Sequence, residues 1–185
     1  MKGAAAEVCV VPGFLANGIH AGIKEKPQKD LSLIYSTEPA QAAAVFTTNA
    51  FKAAPVLLDM ERIGSGRAQA ILTNSGNANA ATGAEGYRDA RAMSDFLSRR
   101  LGIPDDLVLV ASTGVIGHRL PVRKIDRAMG RLIQGLRPDG IAAAEEAILT
   151  TDRFPKIAAR KGRIGDRPGP LCGIDKGAGM IEPRM

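Results

Sequence analysis

The chain has 185 residues, of which 45% are apolar and 24% charged, and a formal net charge of +6. That is enough apolar length for one buried core, and it excludes a disordered tail or a fibrous repeat. With only two His, two Cys and no Trp, three-His metal sites and HExxH are excluded, a Ser-His-Asp relay would have to recruit isolated His20 or His118, and the chemistry is expected to run on Thr, Ser, Lys, carboxylates and backbone amides.

In chain order, short apolar runs bounded by Pro, Gly, Asn or Asp predict strands at Val8–Val11, Leu31–Tyr35, Ala42–Phe46, Val56–Leu58, Ala68–Leu72 and Leu107–Val110. A helix is predicted over Gly86–Leu101, where Tyr87, Ala90, Met93, Leu97 and Leu101 recur at three- and four-residue steps before Gly102. A second helix is predicted over Pro121–Leu136, with Pro121 at its first turn and Ile125, Met129, Leu132, Ile133 and Leu136 on one stripe. A third, Asp139–Leu149, opens on a capping Asp. Residues 159–170, ARKGRIGDRPGP, read as a long exposed loop. Strands first, then strand and helix in alternation, predict an α/β or α+β layered sandwich with sheets flanked by helices, in a single domain over 1–185.

The positive charge is uneven: the first 110 residues balance to zero and the surplus lies in the second half. Arg123, Lys124, Arg127 and Arg131 recur at helical spacing and predict a solvated helix face. A positive field that draws small carboxylates is the alternative. A basic nucleic-acid module is disfavoured, because no aromatic platform or reading motif accompanies the charge. Cys9 and Cys172 stand at opposite ends with no CxxC, which argues against a disulfide or a zinc knuckle and for a reducing compartment. The opening residues, broken by Glu7 and Pro12, make a poor signal peptide, and no apolar run approaches the roughly 18–20 residues of a membrane span. The expectation is a cytoplasmic protein with no membrane partner.

Four segments carry chemistry. In ILTNSGNANAATG (71–83), three Asn around Gly76 form either an Asx-rich turn or the polar wall of a ligand site. In LVLVASTGVIG (107–117), an apolar strand ends in Ser112, Thr113 and Gly114. That is either a tight turn or a hydroxyl and an amide suited to a developing oxyanion. Thr150-Thr151-Asp152 follow the third helix as a cap, or as hydroxyls for a substrate. Lys176 sits among glycines near the end, but a phosphate loop would need Ser or Thr where Gly177 stands.

Taken together, GFLANGIHAGIK (13–24), KDLSLIYS (29–36), AVFTTNAFKAAPV (44–56), TNSGNANAATGAEG (73–86), STGVIG (112–117), TTD (150–152) and KGAGMI (176–181) resemble, in order, the self-cleaving glutamate N-acetyltransferases of arginine biosynthesis, also called ornithine acetyltransferases. The resemblance implies the α chain of a precursor cut near Met185, completed by a β chain whose N-terminal Thr is the nucleophile, in an α2β2 heterotetramer. It implies an oxyanion pair at Thr113 and Gly114, substrate contacts at Thr150 and Lys176, and no cofactor or metal. It also implies acetyl transfer from N2-acetyl-L-ornithine to L-glutamate and leaves acetyl-CoA open as a further donor. Ala50-Phe51 and Arg184 depart from the family's pattern. An N-terminal-nucleophile aminopeptidase or amidase on a similar scaffold is the alternative.

Overall fold

The computed structural model describes residues 9–177 and 184–185. Strands β1 (Phe14–Ile19), β2 (Leu31–Gln41), β3 (Arg67–Asn77) and β4 (Val108–Val115) form one sheet in chain order. The first two pairings are antiparallel, and β3 and β4 run parallel. Parallel strands need a long crossover, here supplied by α2 (Gly83–Leu101). The other helices are α1 (Ala54–Arg62), α3 (Val122–Gln134) and α4 (Ile141–Ile148). An antiparallel ribbon of β5 (Lys156–Ile164) and β6 (Arg167–Asp175) ends the described fold.

Side-chain alternation gives the sheet two unlike faces. Leu33, Leu72, Val108 and Val110 point to one side and pack with Leu58 of α1, Met93 and Leu97 of α2, and Ile125, Met129 and Leu132 of α3. Burying a side chain of this size contributes roughly 1.5–3 kcal/mol, so this layer is the core. On the opposite side α4 lies close against β1. A Cβ on Gly18 would stand 1.9 Å from the Ala143 carbonyl oxygen, so only glycine permits the contact. Ser75 Oγ donates to the Ala147 carbonyl at 2.5 Å and ties β3 to the same helix. Beyond α4 this face stays open, with Phe14 38% and Ile71 41% exposed. Between it and the ribbon lies an apolar cavity of about 250 Å³ touched by Phe14, Ile34, Ile141, Leu171 and Ile174.

Mixed helices and strands in layers match the expected fold class, and so do β2, β3, β4, α2 and α3. Several local expectations are corrected. Of Val8–Val11, Val8 lies outside the described residues and the rest is not strand; the first strand is β1, whose Asn17 and Gly18 gave no apolar alternation. Ala42–Phe46 is irregular. Val56–Leu58 belongs to α1, because a three-residue apolar run fits either period and Pro55 begins a helix. Pro121 caps α3 from outside rather than opening it. Asp139 does not cap α4, since Gly140 holds that position and Asp139 pairs with Arg137 at 3.0 Å. Residues 159–170 are not a loop but most of the ribbon, turned at Gly165 with φ +59°. Cys9 and Cys172 are joined in a disulfide, with Cα atoms 5.8 Å apart across 163 positions of sequence. Their spacing could not reveal it, because the pairing depends on β6 returning to the N-terminal segment. Arg123, Lys124, Arg127 and Arg131 form the exposed face of α3, as expected. Among the described residues no helix is long and apolar enough to cross a membrane.

Candidate active site

The parallel ladder of β3 and β4 runs from Ala70–Val108 to Gly76–Gly114 and then loses register, so that Asn77 faces both Thr113 and Val115. Gly114 has φ +134° and Gly76 φ +107°. A Cβ on Gly114 would lie 2.3 Å from the Gly76 carbonyl carbon, so the two backbones touch and only glycine allows it. The strands open at this point into a cleft of about 760 Å³ lined by Gly76, Thr113, Gly114, Thr150 and Thr151, with Ile23 and Lys24 across from them.

The asparagines build the frame of this cleft. Asn74 Nδ2 donates to the Asn77 carbonyl at 2.9 Å, and Ser112 Oγ donates to Asn74 Oδ1 at 2.6 Å. Asn77 Nδ2 donates to the carbonyls of His118 and Arg119, both at 3.1 Å. Asn79 Nδ2 donates to the Gly86 carbonyl at 2.8 Å. These amides are buried and saturate backbone groups, so the Asx-rich reading describes them and Gly76 alone reaches the cleft. Arg119 grips Asp89 with two bonds at 2.7 and 2.8 Å and also pairs with Glu85, pinning the segment after β4 to α2.

The opposite wall depends on Asp30, which is fully buried. Its carboxylate accepts from the backbone amides of Ala21 at 2.5 Å, Ile23 at 2.6 Å and Lys24 at 3.0 Å. Lys24 Nζ then donates to the carbonyls of Lys29 at 2.8 Å and Leu149 at 2.7 Å, which fixes the chain just ahead of Thr150. Burial pulls the Lys24 ammonium below its ordinary value; Asp30 and Glu146 oppose that shift, and the nearby Lys176 charge reinforces it.

Of the residues singled out in the sequence, Thr113, Gly114 and Thr150 line this one cleft. Lys176 is half-buried beside it, within electrostatic reach of Lys24 and adjacent to Gly177, whose amide donates to Asp152 Oδ1 at 2.9 Å. Met185 is 69% exposed and does not line the cleft; its neighbour Arg184 is held through a carbonyl that accepts from Thr48 N at 2.7 Å. Sequence reasoning passed over Lys24 and Asp30. Both stand in matched segments, but Asp30 acts through backbone amides six to nine positions away and Lys24 through the Leu149 carbonyl 125 positions away, and no spacing rule signals such bonds.

The family model described as the ArgJ family matches residues 15–185. The arginine biosynthesis bifunctional protein ArgJ of Geobacter sulfurreducens is 49% identical over 175 residues, covering 95% of this chain and 44% of that protein. Its counterpart in Caldanaerobacter subterraneus is 48% identical over 94% of this chain and 43% of its own length. The chain therefore spans less than half the length of the curated relatives it matches. A crystal structure of arginine biosynthesis bifunctional protein ArgJ from Bacillus halodurans superposes with a TM-score of 0.87 at 40% identity, covering 94% of this chain and 91% of that one. The structure of ornithine acetyltransferase complexed with ornithine, from Mycobacterium tuberculosis, also gives 0.87, at 37% identity, covering 95% and 94%. On this match of sequence and fold along nearly its whole length, the chain belongs to the ArgJ family.

Proposed function

We propose that this chain is the oxyanion-binding half of a two-chain acetyltransferase that moves an acetyl group from N2-acetyl-L-ornithine to L-glutamate. The observation that carries the reading is the gathering of Thr113, Gly114 and Thr150 in one cleft with Lys176 beside it. Two further facts support a partner chain. The curated relatives are more than twice as long, whereas this chain covers 91% and 94% of the solved chains. The open sheet face also leaves Phe14 and Ile71 uncovered.

In this reading the nucleophile is the N-terminal Thr of the partner β chain, released when the precursor cuts itself at an Ala-Thr bond. Its free α-amino group, with an ordinary pKa of about 7.7–8.0, takes the hydroxyl proton, so no histidine is required. The hydroxyl oxygen attacks the acetyl carbonyl, and the carbonyl π electrons move onto oxygen. The Thr113 hydroxyl and the Gly114 amide donate to that oxyanion. Collapse breaks the C–N bond, the ornithine amine leaves with the proton, and an acetyl-threonine remains. The glutamate amine then reverses the sequence. Thr150 and the Lys176 ammonium hold the α-carboxylate that both amino acids carry, which explains how one site serves donor and acceptor in turn.

The test uses the complete enzyme from its full-length gene. Thr113→Ala is expected to slow acetyl transfer by about 10²–10³-fold through loss of one oxyanion donor. Turnover near that of the wild type would remove Thr113 from the role. Acetate released from N-acetylornithine at the same rate with or without glutamate would replace transfer by hydrolysis.

A further inference from the structure

Asp152 stands where three parts of the fold meet: the exit of α4, the start of β5 and the segment after β6. Its side chain is fully buried although it follows two threonines at a helix end. Oδ1 accepts from Lys156 Nζ at 2.6 Å and from the Gly177 amide at 2.9 Å. Oδ2 accepts from the Thr150 amide at 3.3 Å. A carboxylate that only capped its own turn would bond the local amide alone. This one also reaches an amide 25 positions away.

Those two amides belong to Thr150 and to the neighbour of Lys176. Lys156 pairs across the ribbon with Asp175, so the same carboxylate also fixes the ribbon end from which Lys176 emerges. A carboxylate held by Thr150 and Lys176 is bound well only while the two are kept at a fixed spacing.

We propose that Asp152 is a positioning residue that sets the spacing between Thr150 and Lys176, and with it the placement of the substrate carboxylate relative to Thr113 and Gly114. This rests on the substrate role given above to Thr150 and Lys176. Substrate does not touch Asp152; its effect passes through the amides of Thr150 and Gly177.

The experiment is a double-mutant cycle in the complete enzyme, with kcat and KM measured for N-acetylornithine and glutamate and thermal unfolding followed alongside. Asp152→Asn is expected to lower kcat/KM roughly 10–100-fold, mainly by raising KM, as misplaced binding groups do. In the Lys176→Met background the same change is expected to cost at most a third of that factor, and Asp152→Glu is expected to recover part of the loss. An equal factor in both backgrounds would show a structural effect independent of Lys176 and overturn the proposal. So would a wild-type-like KM for Asp152→Asn. Should that variant not fold, Lys156→Met, which removes a partner of the carboxylate, is read in the same cycle by the same criterion. If Lys176→Met alone leaves kcat/KM unchanged, the substrate role of Lys176 fails, and that outcome is visible without any Asp152 variant.

Discussion

The four-stranded sheet and the β5–β6 ribbon both satisfy their backbone groups by pairing, but they use side chains in opposite ways. In the sheet, Ala70, Leu72, Val108 and Val110 are at most 2% exposed, and helices seal one face completely. In the ribbon, pairing is unbroken from Lys156–Asp175 to Ile164–Arg167, yet Leu171 is 66% exposed. A two-stranded hairpin is marginal alone in water. The ribbon is therefore held at its open end, by Lys156 Nζ on Asp152, by the Lys156 amide on Glu145 Oε1 at 2.8 Å, and by the Cys9–Cys172 bond. The sheet carries the stability, and the joint of the ribbon carries the placement of Lys176.

The contrast breaks most directly by truncation. Leu72→Ala removes a fully buried side chain from the centre of the sheet and is expected to cost about 2–5 kcal/mol. Leu171→Ala in the ribbon is expected to stay within about 0.5 kcal/mol. Denaturant midpoints of the two variants are the measurement. Comparable losses would mean that the exposed ribbon is part of the core in solution.

Glycines sharpen the same contrast at smaller amplitude. Gly18→Ala would push a methyl group into the Ala143 carbonyl and force α4 off the sheet, at an expected cost of about 1–3 kcal/mol. Gly169→Ala in the ribbon meets nothing within 4 Å and is expected to be neutral to within about 0.5 kcal/mol. A stable Gly18→Ala variant would show that α4 is free to move, and the Leu149–Lys24 contact behind Thr150 would have to be set by something else.

Legibility in the sequence followed the same divide. Elements that bury one face announced themselves. Met93 and Leu97 put α2 on the page, and Gly102, left-handed at φ +67°, marked its end. β3 and β4 showed as apolar runs because Ala70, Leu72, Val108 and Val110 are buried against the helices and the residues between them, Ile71 and Leu109, are apolar as well. β1 did not show, since its buried positions are Ala16, Asn17, which donates to the Leu132 carbonyl at 2.8 Å, and Gly18, which must be small. The ribbon did not show because it is only partly covered on one face and its sequence is dominated by Arg, Lys, Gly and Pro, so no apolar alternation marks it. At the site, small polar residues at the end of a buried strand pointed to Thr113 and Gly114, while Thr150 and Lys176 acquired a specific role only through the family resemblance. Asp152 read as a turn residue because one of its partners, the Gly177 amide, lies 25 positions away in the segment after β6.

The two regions also carry carboxylates that titrate in opposite senses. Asp59, on α1, accepts from the Val110 amide at 3.0 Å, and burial pushes its pKa up to about 6, beyond what that bond and Arg62 offset. A folded value above the ordinary 3.8 means that its contribution to stability is complete below about pH 4 and is lost as pH rises through about 6. Asp152 is the reverse: the Lys156 bond, then the Gly177 and Thr150 amides, hold its carboxyl well below the usual range against desolvation. Its contribution is present above the ordinary carboxylate value and fades as pH falls below it. Asp59→Asn keeps an acceptor for Val110 and is therefore expected to stabilise the protein by about 1 kcal/mol at pH 8, after allowance for solvent screening, and to gain nothing at pH 4. Asp152→Asn is expected to destabilise at pH 8 and to approach the wild type as the pH falls below 4. Thermal unfolding of both variants across pH 2–8 measures the two slopes. If they share a sign, the core and the ribbon joint do not differ electrostatically in the way the geometry requires.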